Sequence, residues 1–118
     1  MTYVFLNPPT RSFKPLGTAT EIKVYDRNGV KVADIHDPKR IVLIREFVNR
    51  YRSGWGGSSD MMGVPIPSMK ANFLNGQAFI GHFGAGPGFF ETQRDGDFAS
   101  LRVADNDRKA FQELLGLR

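Results

Sequence analysis

The chain has 118 residues, 41% of them hydrophobic, which is enough to build one domain around an ordinary core. It has no cysteine, so the sequence excludes disulfides and thiolate chemistry. The net charge is +4, and the excess of basic residues lies in residues 1–52, so an anionic partner is a class to consider.

The N-terminal segment, residues 1–20, is rich in proline and predicts an irregular arm with a short strand. Its apolar run at 3–6 is too short for the core of a signal peptide, and no segment of the chain reaches transmembrane length. We therefore expect a single domain over residues 1–118, a cytoplasmic location and no membrane partner.

A β-hairpin is predicted next, because Asn28 and Gly29 accept the positive φ of a tight turn between strands at 21–26 and 30–35. A two-residue turn gives two pairs of opposite charge: Asp26 with Lys31, and Lys23 with Asp34. A type I turn with Gly29 in the left-handed region is the competing geometry, and it shifts this register.

Two helices are predicted. The first spans about residues 37–52, because Asp37 suits the N-cap and Pro38 the first helical position. Its apolar residues recur at helical spacing: Ile41, Ile44, Val48 and Tyr51, with Leu43 and Phe47 widening the stripe. The second helix begins at about Asp105 and ends at Gly116.

The glycine-rich stretch at 75–97 does not fit a phosphate-binding loop. The G-x-G-x-x-G spacing and the Gly-Lys-Ser/Thr of a P-loop are both missing from its glycines: Gly81, Gly84, Gly86 and Gly88. Asn-Gly at 75–76 and Asp-Gly at 95–96 favour hairpin turns instead, with residues 84–88 as the connection between two hairpins. The sequence thus predicts an antiparallel meander over about 68–103, and no cofactor.

The two turns predict a register for each hairpin. The turn at 75–76 gives the first: Met69 opposite His82, and Ala71 opposite Ile80. It also sends two aromatic residues to the face away from the first helix: Phe79 and Phe83. The turn at 95–96 gives the second: Thr92 opposite Ala99, and Phe90 opposite Leu101. Aromatic residues on an open sheet face are typical of an interface, unless the arm or the last helix covers them.

The long loop at 53–68 carries three further candidates for partner binding: Trp55, Met61 and Met62. The alternative, which we favour for Trp55, is that these side chains pin the loop to the core. Together with Phe79 and Phe83, they make a non-catalytic module the leading hypothesis, with either a protein partner or a second copy of the chain bound.

Catalytic motifs are missing, and we predict no catalytic residue. A small enzyme with a polar site near His36 or His82 is an alternative. Asp34 and His36 share one face of a strand, but the sequence supplies no third ligand, so no metal is predicted. His82 falls on the predicted core face, where a hydrogen-bonded imidazole is the usual finding. Glu91 lies near a turn and is expected to be solvated.

The first helix is basic, which supports binding of nucleic acid or another polyanion as a further alternative. The candidate residues are Lys39, Arg40, Arg45 and Arg52. The competing interpretation is a solvated helix face, and no helix-turn-helix, zinc-finger or RNP-type signature accompanies these residues.

The predicted fold is α+β, with an antiparallel sheet packed on the helix at 37–52 and a short C-terminal helix. Over about residues 37–103, a helix followed by a meander that wraps it resembles the cystatins in outline. The Q-x-V-x-G inhibitory motif of that family is absent, so the resemblance implies no functional residue. We identify no specific family from the sequence.

Overall fold

A computed structural model describes residues 12–57, 67–94 and 96–117, except for the side chains of residues 57 and 97. These residues form an α+β fold, which confirms the predicted class. The helices are α1 (Pro38–Asn49) and α2 (Asp105–Leu114). The strands are β1 (Glu21–Asp26), β2 (Lys31–Ile35), β3 (Gly56–Gly57), β4 (Met69–Asn75), β5 (Ala78–Gly86), β6 (Phe89–Arg94) and β7 (Asp97–Arg102). Residues 12–20 contain no strand, and the rest of the segment in which a short strand was predicted lies outside the described residues.

All seven strands belong to one antiparallel sheet with the order β2-β1-β4-β5-β6-β7-β3. Strands β4 to β7 are consecutive neighbours, which confirms the predicted meander. The β1–β2 hairpin joins the meander through β1 and β4, so β2 lies at one edge of the sheet and the two-residue β3 at the other.

The first hairpin adopts the competing turn geometry. The amide of Gly29 donates to the carbonyl of Asp26 at 3.0 Å, and Gly29 has a φ of 80°. A β-bulge between Val24 and Tyr25 then restores the predicted register in the part of the hairpin that is furthest from the turn. The resulting pairs are Tyr25 with Lys31, and Lys23 with Asp34. Of the two predicted charge pairs, that of Lys23 with Asp34 is therefore confirmed and that of Asp26 with Lys31 is wrong.

The predicted register of the β4–β5 hairpin is wrong, for two reasons. The turn lies one residue further along, because Asn75 pairs with Ala78 and Gly76 takes the left-handed φ of 64°. A β-bulge at Ile80 then shifts the register again. The observed pairs are Met69 with Ala85, and Ala71 with Phe83.

The β6–β7 hairpin has the predicted register, with Thr92 opposite Ala99 and Phe90 opposite Leu101. The connection between the two hairpins is shorter than predicted. Residues 84–86 belong to β5, and only Pro87 and Gly88 turn the chain. Gly88 has a φ of 79°, which suits the second central position of a type II turn after proline.

Both helices pack one stripe against the sheet. Asp37 caps α1 by accepting a hydrogen bond from the amide of Lys39 at 3.1 Å, as predicted. The buried residues of α1 are Ile41, Ile44, Phe47 and Val48. Leu43 was expected in this stripe but is 55% exposed, because it lies on the side of the helix that faces away from the core. Neither α1 nor α2 is long and apolar enough to cross a membrane.

An aromatic cluster forms the centre of the core and ties both helices to the middle of the sheet. It consists of Phe47 from α1, Phe83 from β5, Phe90 from β6 and Phe111 from α2. The ring centroids of Phe83 and Phe90 are 4.9 Å apart, and those of Phe47 and Phe90 are 6.1 Å apart. Such contacts add to the free energy of apolar burial.

Candidate functional site

An exposed aromatic residue beside a cleft is the feature that most resembles a binding site. Phe79 is 52% exposed and pairs with Leu74 where β5 begins. The adjoining cleft has a volume of about 520 Å³, and we call it the Phe79 cleft. Its lining consists of Lys14, Pro15, Leu16, Gly17, Phe79, Ile80, Arg94 and Gly96. The volume of the cleft is within the range of pockets that hold small molecules.

One wall of the Phe79 cleft is the extended segment at 14–17, which two polar side chains hold in place. The amide of Leu16 donates to Oδ1 of Asn49 at 2.7 Å, and Nδ2 of Asn49 donates back to the carbonyl of Leu16 at 3.3 Å. Nη1 of Arg94 donates to the carbonyl of Lys14 at 3.0 Å. These bonds satisfy backbone groups of a segment that has no strand partner, so the wall is ordered without a ligand.

The same wall packs closely on β5 at Gly81. A Cβ at Gly81 would lie 2.6 Å from Cδ2 of Leu16, so any other residue at this position would force the Leu16 side chain to shift. Leu16 is buried as a result, and its side chain forms part of the cleft. The tight contact connects the cleft wall directly to the core.

Two of the predicted partner-binding aromatics belong to the core. Phe83 is fully buried, so its predicted position on the face away from the helix was wrong. The physical reason is the bulge at Ile80, which turns Phe83 inward and His82 outward. Trp55 is also fully buried and donates from its indole nitrogen to the carbonyl of Tyr51 at 2.8 Å. It pins the chain after α1, which is the interpretation favoured for it. Met61 and Met62 lie outside the described residues.

His82 and Glu91 form a buried polar pair on the face of the sheet opposite to Phe83. The sequence had predicted a different environment for each of them. Nε2 of His82 and Oε2 of Glu91 are 2.8 Å apart, and the two side chains are only 11% and 5% exposed. Glu91 was expected to be solvated, and His82 was expected on the core face. Both expectations were wrong: the bulge reverses the faces of β5 after Ile80, which moves His82 off the core face, and Glu91 is buried because it packs over Gly84. The sequence contains one indication of this pair: Gly84 follows His82 by two residues, and its missing side chain leaves the space that Glu91 occupies.

A histidine oriented by a carboxylate is an arrangement that general bases use. Nδ1 of His82 makes no hydrogen bond in the part of the chain that the structure describes. However, the Phe79 cleft does not include His82 or Glu91. The pair therefore satisfies two buried polar groups, and it carries no argument for catalysis by itself.

The other predicted polar site gains a residue from the fold. Asp34 and His36 lie together with Glu21 of the neighbouring strand, and the ligand atoms of all three are within 4.8 Å of one another. The hydrogen bond from Lys31 holds the pKa of the Asp34 carboxyl below its ordinary value, and the side chain of Glu21 acts in the same direction. His82 is not part of this group, so the structure does not bring the two histidines together.

The basic residues of α1 do not form one surface. Arg40 and Arg45 are five residues apart and so project from different sides of the helix, about 140° apart at 3.6 residues per turn. Nη2 of Arg40 donates to the carbonyl of Leu114 at 3.4 Å. Arg45 is half-buried and Lys39 is exposed. Arg52 is also exposed, but it lies beyond the end of α1, because the helix stops at Asn49 and not at 52 as predicted. Binding of a polyanion through these residues stays a prediction that their divergent placement does not favour.

A second cleft, of about 700 Å³, runs along α2, and most of the residues in its lining carry polar or charged side chains. Arg108 in its lining donates to Asp105 at 2.8 Å and to Gln112 at 3.2 Å. The hydrogen bond from Arg108 holds the pKa of Asp105 below its usual value. These bonds are typical of an exposed helix surface, and they do not identify a ligand.

No protein-family model, no curated protein and no solved structure matches this chain. Its candidate sites therefore rest on their own geometry.

Proposed function

We propose that this protein binds a partner protein through the Phe79 cleft, which accepts an aromatic or aliphatic side chain of the partner. The observation that carries the proposal is the 52% exposure of Phe79 beside a concave surface. Burying the apolar surface of a ring is favourable by about 25 cal/mol per Å², and an exposed ring lacks this stabilisation. A partner side chain that covers Phe79 recovers it.

The composition of the lining supports this kind of partner. Phe79, Ile80, Leu16 and Pro15 provide apolar surface, and Lys14 and Arg94 add polar groups to the lining. Aromatic anchors that fill a pocket account for most of the binding energy in many protein interfaces. An aromatic side chain of a partner that carries a polar tip, such as tyrosine, would match both parts of this lining.

The ordered wall of the cleft supports the proposal in a second way. Because Asn49 and Arg94 already hold the segment at 14–17, binding does not have to order it. Association then loses less conformational entropy, which leaves more of the contact energy as affinity.

Site-specific crosslinking tests the proposal. A photoreactive benzoylphenylalanine at position 79, in protein exposed to an extract of its source cells, is expected to give a discrete covalent adduct. The matched control places the same group at position 43, because Leu43 is exposed to a similar extent, 55%, but does not line the cleft. Light scattering of the free protein decides whether the partner is a second copy of the chain.

The adduct then defines a quantitative test. With the partner identified, Phe79→Ser is expected to weaken binding by at least about tenfold, whereas Leu43→Ser leaves it unchanged. The proposal is wrong if position 79 gives no adduct beyond that at position 43 and the protein is monomeric at high concentration. It is also wrong if Phe79→Ser binds the identified partner as tightly as the wild type does.

A further inference from the structure

Three metal-ligating side chains meet on the exposed face of the β1–β2 hairpin: Glu21, Asp34 and His36, here called the EDH cluster. The strand register explains why they meet. Ile22 pairs with Ile35, so Glu21 and His36 are the next neighbours across the two strands. Asp34 and His36 are two residues apart, which places them on the same side of the chain. Ile22 and Ile35 are buried in the core and hold the backbone below the cluster.

The distance between His36 and Glu21 is that of an ion pair if the imidazole is protonated, and it also suits a shared metal ion. Nε2 of His36 and Oε2 of Glu21 are 3.6 Å apart, beyond the ordinary range of N–H···O bonds. Two donor atoms on one tetrahedral Zn²⁺, each about 2.1 Å from the metal, are separated by about 3.4 Å. All three ligand atoms lie within 4.8 Å of one another, so small side-chain rotations bring all three within bonding distance of a single ion.

A cation already lies against one member of the cluster. The Lys31 ammonium forms an ion pair with Oδ2 of Asp34. The Lys31 side chain is 46% exposed, so it can turn into solvent when a stronger cation arrives. Lys31 thus competes with a metal for Asp34, and its removal has a predictable direction of effect.

We propose that the EDH cluster is a Zn²⁺ site, with one imidazole and two carboxylates as protein ligands and a fourth position for water. Imidazole and carboxylate together suit a borderline ion such as Zn²⁺ better than Mg²⁺ or Ca²⁺, which take oxygen ligands alone. The His36 side chain is 66% exposed, so the ion reaches the site from solvent. The site does not depend on the Phe79 cleft or on the function proposed for it.

Calorimetric titration of the full, tag-free chain with Zn²⁺ at neutral pH tests the site. We expect one Zn²⁺ per chain in the wild type. His36→Ala is expected to weaken binding by more than about tenfold, since even a hydrogen-bond partner of a metal ligand is worth about that much. Lys31→Met is expected to strengthen binding, because it removes the competitor for Asp34.

The second histidine of the chain provides the matched control. His82→Gln changes the other imidazole and leaves the EDH cluster intact, so its Zn²⁺ affinity is expected to equal that of the wild type. Amide NMR spectra with paramagnetic Co²⁺ locate the ion independently of any variant, with broadening centred on residues 21 and 34–36. The proposal is overturned if the wild type does not bind Zn²⁺, if His82→Gln loses binding as His36→Ala does, or if the Co²⁺ broadening is centred elsewhere.

Discussion

The Glu91 side chain lies flat across Gly84 of the neighbouring strand. The two residues are direct cross-strand partners, and a Cβ at Gly84 would be 3.0 Å from Cγ of Glu91. Because Gly84 has no side chain, the Glu91 carboxylate reaches His82 at 2.8 Å and both groups are largely buried. Gly84 and Gly86 of β5 thus leave space for side chains of β6, which are Glu91 and Phe89.

Gly86 gives the sharpest test of this relationship. A Cβ at Gly86 would be 2.5 Å from Cε1 of Phe89, a ring atom in a buried side chain. We expect Gly86→Ala to lower the free energy of unfolding by about 1–3 kcal/mol, the usual cost of overpacking. Urea denaturation measures it. Gly17→Ala is the control, because nothing lies within 4 Å of a Cβ there, and it should change stability by no more than about 0.5 kcal/mol. Equal stability of the two variants would contradict the proposed clash.

The corrected β4–β5 register predicts opposite outcomes for two phenylalanines four residues apart. Phe83→Ala removes a fully buried ring and should cost about 3–5 kcal/mol of stability. Phe79→Ala removes a half-exposed ring and should cost far less, about 0.5 kcal/mol or below. Thermal or urea unfolding distinguishes them. The register is wrong if Phe79→Ala is the more damaging change.

Tyr51 makes stability depend on pH in the alkaline range. Burial raises its pKa above the ordinary value of 10.0, and the negative charge of Asp107 raises it further. The hydroxyl of Tyr51 donates to Oδ1 of Asp107 at 3.2 Å. A raised folded-state pKa means that this stabilisation is complete below the unfolded-state pKa and is lost as pH rises through the folded-state value.

We therefore expect the free energy of unfolding to fall as the pH rises above about 10, the unfolded-state pKa of tyrosine. Tyr51→Phe should be less stable at neutral pH by about 0.5–1.5 kcal/mol, the net value of a hydrogen bond, and should show a smaller alkaline decline. Urea denaturation at a series of pH values measures both. Tyr25→Phe, which leaves the bond to Asp107 intact, should retain the full decline, and a reduced decline in that variant would argue against this role for Tyr51.

The two helices differ at their N-termini, which predicts changes of opposite sign. Asp37→Ala removes the side-chain cap of α1 and should destabilise the protein by about 1 kcal/mol. The N-cap of α2 is Ala104, which has the required extended backbone but offers no side-chain acceptor. Ala104→Ser should therefore stabilise the protein by about 0.5–1 kcal/mol. Differential scanning calorimetry follows both changes, and a lower melting temperature for Ala104→Ser would contradict the prediction.

The sequence was sufficient wherever a local signal acted alone. Asp37 and Pro38 start α1, Gly116 ends α2 with a φ of 80°, and the β6–β7 register follows from the turn at 95–96. Each of these features depends on the backbone preferences of a few consecutive residues, so the sequence alone is enough to predict it.

The faces of β5 were decided only in three dimensions. The turn after β4 and the bulge at Ile80 together move each residue of β5 to a partner that the sequence pattern did not indicate, and one such shift exchanges the two faces of a strand. Phe83 enters the core, His82 meets Glu91, and Phe79 remains at the surface as predicted. The EDH cluster has the same origin, because Glu21 joins Asp34 and His36 only through strand pairing. Local propensities determined the helices and the β6–β7 turn of this protein, whereas cross-strand register, which depends on packing between distant residues, determined which side chains form its candidate sites.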